Sequence, residues 1–295
     1  MTGDGYLDWL RRLATEAPAR DRLGTARLID QRARVRARDS VELALPVSLG
    51  RPVVGTADPA GRLDFSIETY PVPFPGTPLT FGFDRVESRC HGVTNTHVDA
   101  ISHAFMDGTA YAGWAPDDPE LPSVADLAGA ALFTRGVYAD LPSVLGKDWV
   151  SIDDPITGDH LDRAVSAAGV RFEAGDALLV DVGRDRFAAA GGDLGSTDPG
   201  AGLGGLGRGA AEWIADNRVS ILCWDAADTR SPQEPPLPVH SLIWAIGLVI
   251  VDNCTFGGLR NAARATKRAA VGALVVAPSA TPGGTGALVN PVLVL

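Results

Sequence analysis

Apolar positions recur three and four apart at the start of the chain. Leu7, Leu10 and Leu13 fall at i, i+3 and i+6, and Ala26, Leu28 and Ile29 follow, so residues 1–38 read as helical. The period then changes. "VELALPVSL" (41–49) and the alternating "TFGFDRVESR" (80–89) read as strands; residues 50–80, proline-rich and aperiodic, read as loop with short strands. "LFTRGVYADL" (132–141) is a further strand. In the second half, helices and strands alternate. "TGDHLDRAVSAAGV" (157–170), "GRGAAEWIADNR" (207–218) and "HSLIWAIG" (240–247) carry helical patterns. The continuous apolar run in "GDALLVDVGR" (175–184) marks a buried strand, joined by "VSILCWD" (219–225), "LVIVDN" (248–253), "ALVVAPSA" (273–280) and "PVLVL" (291–295).

Strands first and alternating elements later predict an α/β domain with a mixed sheet. A length of 295 residues suits one such domain, preceded by a helical extension: residues 1–40 as the extension and 41–295 as the main domain. With 45% apolar and 21% charged residues, the core needs no disulfide or structural metal. The formal charge of −10 argues against nucleic acid or an anionic membrane as partner. The arginines concentrated in "RLIDQRARVRARDS" (27–40) read as a solvated helix, or more sharply as an oligomer contact. No basic segment followed by an apolar one opens the chain, and no run of about 18 apolar residues occurs, so neither a signal peptide nor a membrane-spanning helix is expected. Three scattered cysteines, Cys90, Cys223 and Cys254, fit reduced thiols in a cytoplasm. The glycine-rich stretches 188–209 and 283–286 lack the spacing of a dinucleotide fingerprint.

The chemistry concentrates in "HGVTNTHVDAISH" (91–103), which holds three of the five histidines. His97 and Asp99, two apart, share a side in extended backbone; Asp99 and His103, four apart, share a helical face. A strand turning into helix near Asp99 would let all three converge on a divalent metal, zinc or manganese. The competing reading makes Asp99 the cap of a helix at 100–105 and the histidines core residues. Phe105, Tyr111 and Trp114 follow closely and would either line a pocket for a ring-shaped substrate or belong to the core. His160, between acids on an amphipathic helix, reads as surface.

"THVDAISHAFMDGTAYAGW" (96–114) resembles the hallmark H-x-G-T-H-x-D-A-x-x-H of the cyclase family, metal-dependent hydrolases that include bacterial kynurenine formamidase and isatin hydrolase. "GVRFEAGDALLVDVGR" (169–184), "LPVHSLIWAIGLVIVDNCTFGGL" (237–259) and "APSATPGGTGALVNPVLVL" (277–295) are similar to its later blocks, in matching order, so the resemblance covers about residues 50–295 and points to the longer members of roughly 300 residues. It implies the swivelling β/β/α-type fold with a mixed sheet. It also implies His97 and Asp99 as metal ligands, His103 as the acid–base group, and His240 with Asp252 on the far side of the site, Asp252 standing where the family often has glutamate.

One position departs from the pattern. The family's first ligand histidine precedes the second by four residues, and Val93 stands there. Valine offers no donor atom, so His91 is the expected substitute, with Gly92 permitting a looped-out backbone; Asn95 and Cys90 are its rivals. The activity implied is hydrolysis of an amide C–N bond, of the arylformamide or cyclic amide type, through metal-activated water. The alternatives are a metal-dependent cyclase or lactone hydrolase acting on a polyketide-like small molecule, and a non-catalytic binding protein that has lost its metal. The resemblance, together with an amphipathic N-terminal stripe in need of cover, implies a homodimer or homotetramer.

Overall fold

The computed structural model describes residues 3–57, 64–194, 198, 201–266 and 270–295; parts of the proline-rich and glycine-rich stretches lie outside these. Eleven strands run in chain order among the described residues: β1 (Pro46–Ser48), β2 (Phe65–Pro73), β3 (Thr80–Ser88), β4 (His97–Asp99), β5 (Leu132–Asp140), β6 (Ala177–Asp181), β7 (Ile221–Trp224), β8 (Val249–Asp252), β9 (Val271–Val276), β10 (Gly286–Leu288) and β11 (Val292–Val294). Nine form one sheet in the order β1-β11-β9-β5-β6-β7-β8-β4-β10. Its centre, β5 to β8, is parallel, and both flanks are antiparallel. The mixed sheet expected from the alternating second half is therefore present.

The central strands are buried on both faces, which is why their sequences run apolar without interruption. On one face Leu178, Val180, Leu222, Trp224 and Ile250 meet the helices Gly158–Ala167, Arg208–Asp216 and Ser241–Ile246; on the other Leu179, Cys223, Val251 and Leu274 form a second core layer.

The first forty residues pack on this body. Tyr6 and Leu10 of helix Gly3–Thr15 are buried in the first core layer, and Ala33 of helix Gln31–Asp39 in the second. The arginine-rich helix is solvated on one side only. Ala37 is fully buried, and Arg36 pairs at 3.2 Å with the buried carboxylate of Asp176. Within the N-terminal apolar stripe, Leu10 is thus fully covered by the same chain and Leu13 packs against the same layer, while Leu7 stays 38% exposed.

The largest departure from expectation is β2. Pro71 and Pro73 hide its period, yet it spans nine residues and pairs along its whole length with β3. Prolines are tolerated because this hairpin stands outside the main sheet and needs few ladder donors.

Candidate metal centre

β4 is short and fully buried, wedged between β8 and β10. Its register sets the site. His97 lies opposite Asp252 of β8, and cross-strand neighbours share a face, so a histidine and a carboxylate meet without any helix between them. His97 Nε2 stands 3.4 Å from Asp252 Oδ2 and 3.6 Å from Asp99 Oδ1. The Nδ1–H of His97 donates to the carbonyl of Asn95 at 2.9 Å, which leaves the Nε2 lone pair facing the carboxylates.

After Asp99 the chain makes a single 3₁₀ turn, Ile101–His103, and no α-helix; Ala100 precedes the turn and Asp99 caps nothing. The capping alternative is therefore excluded, and the expected helix at 100–105 is replaced by this tighter turn. It still returns His103 towards Asp99, with Nε2 at 3.9 Å from Oδ2. His91 enters from the loop after β3. Its Nδ1 lies 2.9 Å from Asp99 Oδ1, its Nε2 contacts Thr285 Oγ1 at 2.9 Å, and its ring stacks on His103 with centroids 3.9 Å apart. Gly286 makes room for it, since a Cβ there would sit 2.6 Å from His91 Cε1. Gly92 is not the enabling glycine: its φ is not positive, and a Cβ on it would meet nothing within 4 Å.

Val93, where the family ligand would stand, is 72% exposed. Of the rivals to His91, Asn95 is committed elsewhere: its amide accepts from Val54 N–H and donates to Val54 carbonyl. Cys90 is half-buried beside His91. Asn253 and Arg184 fasten the loop. Asn253 donates to the carbonyls of Gly92 and Asn95, and Arg184 bonds Asn253 Oδ1 and the carbonyl of Val93.

His240 opens helix Ser241–Ile246 and points Nε2 to within 3.4 Å of Asp252 Oδ2. Its Nδ1 bonds Asp228, a buried residue that also accepts the Val239 N–H. Trp224 Nε1 donates to the other Asp252 oxygen. Sequence reasoning missed Asp228 and Trp224. Neither sits at a spacing that announces contact with position 240 or 252, and only the return of β7 and β8 brings them there.

Two overlapping groups of possible ligands result, His91–His97–Asp99 and Asp99–His240–Asp252, with donor atoms within 4.8 Å of one another in each. Asp99 belongs to both. Its two oxygens are buried and neither has a hydrogen-bond partner among the described residues; the short His91 contact is misaligned for one. A dehydrated carboxylate without donors is costly unless a cation completes it. The set of imidazoles and carboxylates fits a divalent metal ion.

Electrostatics agree. Burial works against the His91 cation, but Asp99 and Cys90 outweigh it and raise the imidazole to about 10. Burial opposes the His240 cation too, yet Asp228 and Asp252 lift it to about 11. His103 moves the other way: burial pushes it below the usual histidine range, Asp99 resists, and His91 and His240 reinforce the fall.

The expected aromatic wall is only partly in place. Tyr111 and Trp114 are 1% and 2% exposed, and both bond Asp21, Tyr111 through its hydroxyl and Trp114 through Nε1. They hold the N-terminal segment and belong to the buried interior. Phe105, 45% exposed two residues after His103, keeps an open ring. A cleft of about 540 Å³ adjoins the centre; Val54, Val93, Arg184 and Leu203 line it, with Asp228 and Asn253 in its wall. His160, read as surface, is half-buried and closes a capping box with Thr157 on helix Gly158–Ala167.

A family model described as "Putative cyclase" matches residues 41–230. Among solved structures, one reported as a novel cyclase aligns with a TM-score of 0.77 at 21% identity, over 94% of this chain and 95% of that one. An isatin hydrolase bound to the product analogue thioisatinate aligns at 0.59 and 18% identity, over 88% and 94%. Isatin hydrolase A from Labrenzia aggregata, bound to benzyl benzoate, aligns at 0.58 and 19% identity, over 85% and 94%. No curated protein sequence matched the chain.

Proposed function

The chain belongs to the cyclase family, and from that footing we propose that it is a metal-dependent hydrolase that opens an amide C–N bond, of the arylformamide or cyclic amide type. One observation carries the reading: the doubly orphaned carboxylate of Asp99, facing His91 and His97. His91, His97 and Asp99 would hold the ion, and His240 and Asp252 would complete the centre from the far side. When bound, a divalent ion lowers the pKa of a water ligand towards neutrality and polarises a carbonyl.

The chain's own residues supply the rest. His103 is pushed down by burial and so stays neutral at pH 7, able to accept a proton at Nε2. Its stack on His91 fixes the ring, and its side chain remains 32% exposed, open to a substrate. It takes the proton of the attacking water and returns it to the leaving nitrogen. Asp228 holds His240 in the tautomer that turns Nε2 inward. The adjoining cleft, of the size usual for small ligands, receives the substrate; Phe105, outside its lining, stands exposed two residues after His103. The Lewis-acid chemistry is common to zinc and manganese.

The test is turnover in oxygen-18 water over a panel of arylformamides, cyclic imides and lactones. An ¹⁸O-labelled carboxylate from an amide supports the proposal. Turnover of lactones alone, or ring closure without label, overturns it in favour of the lactonase or cyclase reading.

A further inference from the structure

The charges that line the cleft beside the metal centre are unequally matched. Its carboxylates, Asp185, Asp225 and Asp228, all have partners. Asp185 takes Arg51 Nη1 and the Thr255 hydroxyl, each at 2.7 Å. Asp225 accepts the backbone N–H groups of Val182 and Arg184 at 2.7 and 3.1 Å, and burial beside Asp181 holds its carboxyl above the ordinary aspartate range. Asp228 accepts the Val239 N–H and bonds His240.

Arg184 is not matched in this way. The residue is only 9% exposed, and a buried charge is costly without a counter-charge. Its Nη1 donates to Asn253 Oδ1 at 2.7 Å and its Nη2 to the Val93 carbonyl, both neutral acceptors. Its Nε is buried and meets no acceptor among the described residues. Burial and the neighbouring Arg51 charge weigh against this cation, while Asp225, Asp185 and Asp252 ease it without forming an ion pair. Arg51, by contrast, is neutralised by Asp185.

The position of Arg184 bears on the centre. Val93, which it holds, lies between His91 and His97, and Asn253 follows Asp252. The same cleft reaches Asp228, the partner of His240. A molecule in the cleft therefore lies beside both the metal centre and the Arg184 guanidinium, with Val54, Val93 and Leu203 as apolar wall.

We propose that Arg184 recognises a carboxylate on the substrate, so that the chain acts on amides of anionic, partly apolar acids. One unmatched cation asks for one negative charge, and a planar guanidinium meets a planar carboxylate edge to edge. The apolar wall takes the body of the molecule and the centre takes its amide. That the amide is opened rests on the hydrolase reading above; recognition of the acid group does not.

Calorimetry tests recognition without turnover, so its failure leaves the hydrolase reading standing. The probes are 3-phenylpropanoate and its neutral isostere 3-phenylpropanamide. The full chain is first stripped of metal with EDTA and dialysed, so that no ion competes for the acid. The wild type should bind the acid at least about tenfold more tightly than the amide, as a charge-assisted hydrogen bond allows. Arg184→Gln should bring the two affinities within about twofold by weakening the acid alone, and Arg184→Lys, which keeps the charge, should retain part of the preference. Arg51→Gln and Arg230→Gln should keep it. Near-ultraviolet circular dichroism reports folding; if Arg184→Gln does not fold, Arg184→Lys against the wild type decides. A wild type without preference for the acid overturns the proposal, as does a preference that survives in Arg184→Gln. Equal weakening of both probes in the Arg184 variants also overturns it, since Arg184 would then only fasten the loop.

Discussion

At the scale of single residues, the site is organised by Asp99, which no donor among the described residues satisfies, and by His103, which burial pushes below the usual histidine range. Their roles separate experimentally. His103→Ala should retain metal and lose turnover by about 10²–10⁴-fold, the range for a general acid–base group. Normal turnover in that variant would make His103 structural. Much of this residue set was legible in the sequence. His97 and Asp99 lie two apart because strand β4 alternates, and His103 returns four residues later, although through a 3₁₀ turn in place of the expected helix. Of the two places the sequence left open for Tyr111 and Trp114, pocket wall or core, the structure puts them in the core, because the chain after Met106 turns back to seat the N-terminal segment. Asp228 was invisible because nothing local links it to His240.

At the scale of elements, β4 is held at both edges, and β10 matters as much as β8. β10 went unread in the sequence, since three residues around a glycine carry no period. Its Gly286 lies opposite Asp99 and accommodates the His91 ring. Gly286→Ala would place a methyl 2.6 Å from His91 Cε1 and 2.7 Å from the Val98 carbonyl. The backbone oxygen cannot give way, so His91 must move. Metal affinity should fall at least about tenfold, as for loss of a ligand's support, while Gly92→Ala, which meets open space, should leave it unchanged. Equal affinities in the two variants would show that the His91 seat does not govern binding. Titration calorimetry with zinc and manganese reads both. β2 escaped the sequence reading for the reason already given by its prolines; the helices and parallel strands of the second half, with their strong periods, did not.

At the scale of the whole molecule, the clustered carboxylates attract cations, and in the metal-free protein protons serve. His91 and His240, raised to about 10 and 11, lie above the unfolded histidine value of about 6.5. A group whose folded pKa is raised stabilises fully below the unfolded value and loses that contribution as pH climbs to the folded one. Metal-free protein in EDTA should therefore melt at progressively lower temperature from pH 6 to pH 9. Protein saturated with zinc or manganese should lose less over that range, because the ion replaces the protons. Parallel melting curves with and without metal would contradict this coupling. The window stays below the range in which the buried Tyr6 and Tyr138, both raised chiefly by burial, begin to matter.

The claim on which all of this depends is that Asp99 anchors a divalent ion. Metal content per chain, measured by mass spectrometry after dialysis against trace zinc and manganese, tests it most directly. The wild-type protein should carry about one ion or more per chain. Asp99→Ala should carry almost none while its circular dichroism remains that of the folded protein. Full metal retention by folded Asp99→Ala, or a wild-type chain that takes up neither ion, would contradict the account.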